Sequence, residues 1–567
     1  MKTLHRILLL CALSIGRGAS AQCQTQKLVA SDAEMEDYFG ESLSASGDWL
    51  IVGAPQDDDL GIVSGAAYFF QKQGSTWVET QKIHAGDGSD SDQFAYAVGI
   101  SGDIAVVTAF SDSPMGIFAA GSAYVFERSG ATWNETAKLV AADASSEDHF
   151  GISVAVSGNR AVIGAAHDDP AGATSGSAYV FETTGGVWGQ TAKLTPGDLA
   201  TGDSFGFAVA IEGDTIAVSS LGDEGPSGQN NTGSAYVFEH TLGSWVETEK
   251  LIPNDSAANQ GFGASVSVSG ATVLVGAHAD NTSGTLAGSV YAFDKLNGNW
   301  TQVQELTAVD SNPQNFFGAY LTHVGDVAII GAIADSDSAS VAGSAYVFRR
   351  SSSTWIQVGK MLAADGTQGD LLGRSVALVG DTAIAGANYE DSACPSVQEC
   401  NSGAVYLFEL APTAVQYGSC KLVAACNNWD DHGGCRNSTT QGAVIAACGS
   451  GSVTTDDLRL EGTRCPPNKL TLLFTGPAQS QVVFGDGVRV AGAQNPVGVY
   501  RYGGAAADAQ GRVLRGPGLV AYSQGLPALG RIQAGQVWNF QFWYRDPQGP
   551  CGTLTNFSNG VQVTFGP

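Results

Sequence analysis

The sequence predicts an all-β chain: a seven-bladed β-propeller followed by a smaller disulfide-stapled β-sandwich-like domain. Three observations predict the propeller. A Phe-Gly-like start recurs at Phe39, Phe94, Phe150, Phe205, Phe262, Phe317 and Leu372, every 55–57 residues. Self-similarity at such a period marks stacked units that bury their apolar faces on one another. Inside each unit the landmarks keep phase: a turn glycine such as Gly158, a small pair such as Gly164-Ala165, then Gly-x-x-Tyr, and in six units a Trp. Finally, the two ends of the repeat region are complementary. Lys27-Leu28 ends a strand that precedes any complete unit, while the unit starting at Leu372 stops at Leu410 without that strand. A strand lent by the N-terminus to the last blade closes a ring, which needs no polar end caps.

The elements follow in order. Residues 1–21 carry Lys2 and Arg6, the apolar run Ile7–Ile15 and Ala19-Ser20-Ala21. This is the pattern of a secretory signal peptide cleaved after Ala21, and it places the mature chain outside the cell or at its surface. No later apolar run reaches the roughly 18–20 residues a membrane helix requires, so no transmembrane segment is expected. Residues 22–411 form the propeller, with Thr25–Val29 completing the seventh blade beside Ala404–Glu409. In each unit the second strand, as in Ala161-Val162-Ile163, is apolar on both faces and reads as sandwiched between neighbouring sheets. The Ser-Gly-Asp and Ser-Gly-Asn turns before it read as hairpins, because Gly accepts positive φ. The fourth strand, Trp77–Lys82, is mostly polar and suits an outer edge.

Across residues 412–567 the period vanishes. Strands are expected at Leu470–Phe474, Val497–Tyr502, Val537–Tyr544 and Val561–Phe565. The alternation within the third of these assigns its aromatics to a core. The chain has ten cysteines; export makes disulfides the default for those beyond the signal. Cys394 and Cys400 bracket one loop, six more lie in the last third, and Cys23 has no assignable partner.

The Phe-Gly start, the Gly-Ala pair and the strand Gly-Ser-Ala-Tyr-Val-Phe at 121–126, 176–181, 233–238 and 343–348 resemble FG-GAP repeats. These are the units of bacterial secreted proteins and of the integrin α-subunit propeller. The resemblance covers Gln24–Leu410. It implies an adhesion or ligand-binding scaffold but no particular ligand.

Charge narrows the function. With 55 acids against 27 bases, the net charge of −28 excludes a nucleic-acid partner, which basic patches would have to hold. Acids recur in step. Seven residues before each start stand Asp32, Asp87, Asp143, Asp198, Asp255, Asp310 and Asp365; two before it stand Asp37, Asp92, Asp148, Asp203, Gln260, Asn315 and Asp370. After the small pair come Asp57, Asp112, Asp168, Asp223, Asp280, Asp335 and Glu390. Strand direction brings all three sets to one end of the ring, and the last set is the candidate ligand face.

Two readings of the acids stay open. Asp and Asn cap turns by accepting nearby backbone N–H groups. Alternatively Ca²⁺, which takes several carboxylate and carbonyl oxygens, is held by Asp87, Asp90 and Asp92, or by Asp143, Asp148, Asp198 and Asp203. The Asp-x-Asp-x-Asp-Gly loop of integrin-type blades is missing, because a tight turn fills that interval.

Catalytic motifs are weak. Gly202-Asp203-Ser204-Phe205-Gly206 has nucleophile-elbow spacing but coincides with an ordinary blade start and continues as a strand. Phosphate loops, dinucleotide fingerprints and zinc-protease motifs are missing, and Cys426–Cys435 fits no zinc spacing. The expected function is therefore a non-enzymatic binding or adhesion scaffold that presents an acid-rich face to an extracellular protein or polysaccharide. The alternatives are a polysaccharide hydrolase or lyase working through two carboxylates, and a structural envelope component.

Overall fold

A computed structural model describes residues 20–21, 23–225, 228–391, 400–410 and stretches between 414 and 565. The chain divides into two compact units, Gln22–Leu410 and one built mainly from Ala411–Pro567.

The first unit is a ring of seven antiparallel four-stranded sheets. Blade one consists of Ser42–Ser46, Trp49–Ala54, Ala66–Gln73 and Thr76–Ile83. Blades two to six repeat this plan over residues 94–139, 153–194, 205–251, 262–306 and 317–361. Blade seven takes Ser375–Val379, Thr382–Ala387 and Ala404–Glu409, with Cys23–Leu28 as its fourth strand. Cys23 lies opposite Glu409 and Leu28 opposite Val405. The third and fourth strands shift register at the same place in every blade, between Phe69 and Phe70 in the first and between Gln24 and Gln26 in the last. The lent strand thus reproduces even the bulge of the others.

First strands of neighbouring blades lie against one another around the axis, whereas fourth strands barely meet. Each blade therefore is a wedge, and its two-sided apolar second strand is buried against both neighbours. The core consists of seven clusters, each shared by two adjacent blades. One of them joins Phe39, Leu43 and Leu50 to Leu28, Ile384, Val405 and Leu407, across the first and last blades. Every starting Phe is fully buried, edge-on to the Tyr of the third strand, as Phe150 is to Tyr179 at 5.5 Å. The glycine three residues before each such Tyr lets the starting residue of the next blade come up against the backbone. Gly176 has φ +87°, and a Cβ there would stand 2.1 Å from the Phe205 carbonyl oxygen. At the outer edge, the Gln26 amide donates to the Trp77 carbonyl and accepts the Trp77 N–H, at 2.7 and 2.8 Å. Gln81 does the same for Trp133, and Gln304 for Trp355.

The second unit is β-rich. Its five-stranded sheet runs Ala414–Tyr417, Thr555–Thr564, Val537–Arg545, Leu470–Gly476, Tyr500–Ala506 in spatial order. A three-stranded sheet, a hairpin and the short helix Leu519–Ser523 accompany it. Trp538, Phe540, Phe542 and Tyr544 are buried with Ile445, Leu460, Leu473 and Val563, so the alternating aromatics do form a core. Two strand bounds differ from expectation. The strand expected from Val497 is described from Tyr500 and runs on to Ala506. The last strand starts at Thr555, ahead of Val561. Polar composition hid its first half, but the Ser558 carbonyl accepts the Gln541 side-chain amide and the Ser558 hydroxyl accepts the Phe542 N–H, which fixes that half in the ladder.

Residues 1–19 of the expected signal peptide lie outside the described residues, as do Cys394, Cys420, Cys426, Cys435 and Cys551. The expected pairing of Cys394 with the buried Cys400 is therefore not described. Among the described residues no helix is long and apolar enough to cross a membrane.

Candidate functional site

The recurring acids are organised by two residue types that the repeat also conserves in phase: the Tyr of the third strand and the Lys ending the fourth. In blade one, Tyr68 Oη lies 2.9 Å from both Asp32 Oδ1 and Asp57 Oδ2. Lys82 Nζ stands 2.8 Å from Asp32 and 2.7 Å from Asp57. The same cluster appears with Tyr124, Asp87, Asp112 and Lys138, then with Tyr179, Asp143, Asp168 and Lys193. Tyr236, Asp198, Asp223 and Lys250 repeat it in blade four. In blade six Lys360 contacts Asp310, Asp335 and Asp337 at 2.7, 2.7 and 2.9 Å. In blade seven the lent strand supplies Lys27 to Asp365 and Glu390, both at 2.8 Å. Blade five is the exception: Glu305 stands where the others have Lys.

Electrostatics follow. Burial works against the Lys360 ammonium, but the carboxylates of Asp335, Asp310 and Asp337 outweigh it and hold its pKa above the ordinary lysine value. Burial first, then the adjoining acids, pushes the Tyr68 and Tyr124 phenols far up, so they stay O–H donors. Burial tends to raise Asp32, Asp87 and Asp198, but hydrogen bonds from their Lys and Tyr partners bring each below the usual range.

The candidate ligand-face acids Asp57, Asp112, Asp168, Asp223, Asp280, Asp335 and Glu390 are thus all buried and engaged within their own blades. Among the candidate metal ligands, Asp87, Asp143 and Asp198 are held by Lys and Tyr, and Asp90 Oδ1 accepts the Ile62 N–H at 3.1 Å. Asp92, Asp148 and Asp203 accept backbone N–H groups three residues upstream, each at 2.6 Å, and so close the link between blades. That is the capping arrangement. Burial raises Asp37, Asp92 and Asp203 to about 6. Gln260 and Asn315 replace this Asp in blades five and six, and their amides donate to Asp280 and Asp335 at 2.7 and 3.3 Å.

The open part of the same end is the axis. A cavity of about 440 Å³ is lined near the starts of the first strands by Glu41, Tyr96, Ile152, Phe207, Tyr320 and Arg374. Arg374 pairs with Glu41 and lies over the Tyr320 ring at 4.5 Å. A second cavity of about 480 Å³ shares Ile152, Phe207 and His278 and adds His167, Ser204 and Asn259. Nearby rings form a run from Tyr96 to Phe110 (4.3 Å), His149 (5.3 Å) and His167 (4.5 Å). Burial depresses His278 and His149, with the neighbouring His167 adding to the effect on the latter. Concave, largely apolar walls with a few polar groups suit a small ligand or a protruding side chain or sugar. Sequence reasoning missed this site. Most of its residues occupy the one or two positions after each Phe-Gly start and small pair, and Ser204 and Asn259 lie just before a start; the repeats differ from each other there, and that loss of periodicity was the available signal.

The FG-GAP repeat family matches residues 23–70, 77–126, 133–181, 188–238, 245–293, 300–348 and 355–408. Each matched segment opens on the outer strand of one blade and closes on the third strand of the next. No curated protein matches the chain.

Proposed function

The chain belongs to the FG-GAP repeat family, and from that premise we propose that it is a non-enzymatic binding scaffold working outside the cell or at its surface. The observation that carries this reading is the division of labour at the loop end of the propeller. The periodic residues there are occupied with holding the blades, whereas the non-periodic ones surround two adjoining cavities on and beside the axis. The ligand is an extracellular polysaccharide or protein that places a sugar or side chain among Phe207, His278, Tyr320 and Arg374. The export pattern of residues 1–21 supports the location, and a mature N-terminus at Gln22 is expected from sequencing the exported chain.

A glycan array and a panel of matrix proteins, read with the wild type and with Phe207→Ala, test the proposal. Retention of an intact ligand that Phe207→Ala loses supports it. Release of shorter oligosaccharides would replace it with the polysaccharide hydrolase or lyase reading. Binding unaffected by Phe207→Ala would move the ligand site off the axis.

A further inference from the structure

Blade four departs from the others at one point of its rim. One oxygen from each of Asp203, Asp223 and Glu224 lies within 4.8 Å of the other two. Asp203 is only 2% exposed, and although its Oδ2 accepts the Ala200 N–H, its Oδ1 has no hydrogen-bond partner. A buried carboxylate oxygen left without donor or counter-charge is costly, and here it faces two further acids. Among the described residues the only nearby cation, Lys250, is already committed, at 2.6 Å from Asp198 and 2.7 Å from Asp223 Oδ2.

Two other blades relieve the same geometry. Gln260 and Asn315 put an amide N–H on the paired acid in blades five and six. In blades three, five and seven the residue after the paired acid turns back to cap its own loop. Asp169 accepts the Thr174 N–H, Asn281 the Leu286 N–H and Asp391 the Asn401 N–H. Glu224 occupies this position and, among the described residues, caps nothing. The loops themselves are clamped together, since the Asp203 carbonyl accepts both the Gly222 N–H and the Ser220 hydroxyl at 3.0 Å.

We propose that Asp203, Asp223 and Glu224 form a binding site for one Ca²⁺ ion. The donors are all oxygen, with neither nitrogen nor sulfur, which selects a hard cation over zinc or copper. Two buried carboxylates and one exposed one leave several positions open, which Ca²⁺ fills with water at variable geometry and Mg²⁺ does less readily. The site is not the one found in integrin-type blades. It ties the blade-three-to-four link to the loop after the second strand, whereas the turn between the first and second strands, Glu212-Gly213-Asp214, is a plain hairpin. Gly202, Ser204, Leu221 and Gly222, the sequence neighbours of the ligands, line the second cavity. The ion would therefore brace one wall of it, although its presence does not depend on what that cavity binds.

The test uses the full chain freed of cations with EDTA, titrated calorimetrically with CaCl₂ at pH 7.5, alongside thermal melts. The expected affinity is in the range of extracellular modules, a Kd of about 10⁻⁴–10⁻³ M, with a melting rise of roughly 2–4 °C at tenfold excess over Kd. Glu224→Gln, at an exposed position, should weaken binding about tenfold or more without changing the melt of the stripped protein. Asp148→Asn, the corresponding residue of blade three, should leave calcium binding unchanged. Absence of heat and shift overturns the proposal, as does binding that Glu224→Gln leaves intact. A third result also overturns it: Asp203→Asn raising the melting temperature of a chain that ignores calcium. The missing partner would then be a proton, which the amide replaces.

Discussion

Replacing Lys360 by Met tests whether the Lys–Tyr–acid clusters hold the ring together. The Lys360 side chain is 8% exposed, and its ammonium lies 2.7 Å from both Asp310 and Asp335. The Asp335 side chain is 1% exposed. Removing one partner of a buried ion pair usually costs about 3–5 kcal/mol, because the other charge stays behind uncompensated. Asp335 keeps the Tyr346 hydroxyl at 2.8 Å and the Asn315 amide at 3.3 Å, so the lower end applies, about 3 kcal/mol. The same change at Lys138, whose side chain is 24% exposed, leaves Asp87, 58% exposed, to water and the buried Asp112 to the Ser122 and Tyr124 hydroxyls. The expected loss there is about 1 kcal/mol. Urea unfolding followed by tryptophan fluorescence reads both. The folded pKa of Lys360 lies above its unfolded value, so its contribution is full below the unfolded pKa and lost only as pH rises through the folded one. The loss should therefore be the same at pH 7 and pH 9. Equal losses in the two variants, or a loss below about 1 kcal/mol for Lys360→Met, would refute the reasoning.

Three more expectations follow from the same geometry. Glu305→Lys should stabilise by about 1 kcal/mol in urea, since it restores to blade five the cation that six blades carry beside Asp255 and Asp280; destabilisation would mean that the Ser289 hydroxyl bridging Glu305 and Asp280 matters more. Burial raises Asp37 from 3.8 to about 6; its protonated form stabilises fully below the unfolded pKa, and that stability is lost as pH rises through the folded one. Asp37→Asn should accordingly melt higher than wild type at pH 7.5, by about 1 kcal/mol after discounting for screening, with the advantage gone at pH 4. Gly176→Ala should cost more than about 3 kcal/mol or prevent folding, because the new Cβ meets a backbone oxygen. Gly102→Ala, in an open hairpin turn at φ +60°, should cost only about 1 kcal/mol.

Much of the propeller was legible because its signals are periodic and local. The start at Phe205, Gly176 and the small pairs each have a counterpart in all seven blades, and the unmatched Lys27-Leu28 strand told where the ring joins. The acid clusters were half legible. Lys82, Tyr68, Asp32 and Asp57 were each visible as phased residues, but they come from two blades' worth of sequence, and only the fold shows that they meet. Read singly, the acids looked like a surface awaiting a ligand; beside Lys and Tyr they are internal fastenings. Phe207, His278 and Arg374 carry no repeat signal at all, and their convergence depends on the ring having closed. In the second unit, Thr555–Ser558 reads as a loop by composition, and a long neighbouring strand overrides it.

The antiparallel pairing of Cys23 with Glu409 has a mechanical consequence. Both ends of the ring leave from the same corner of the same blade, so a load applied between them would open the joint one hydrogen bond at a time, like a zip, rather than shearing all of them together.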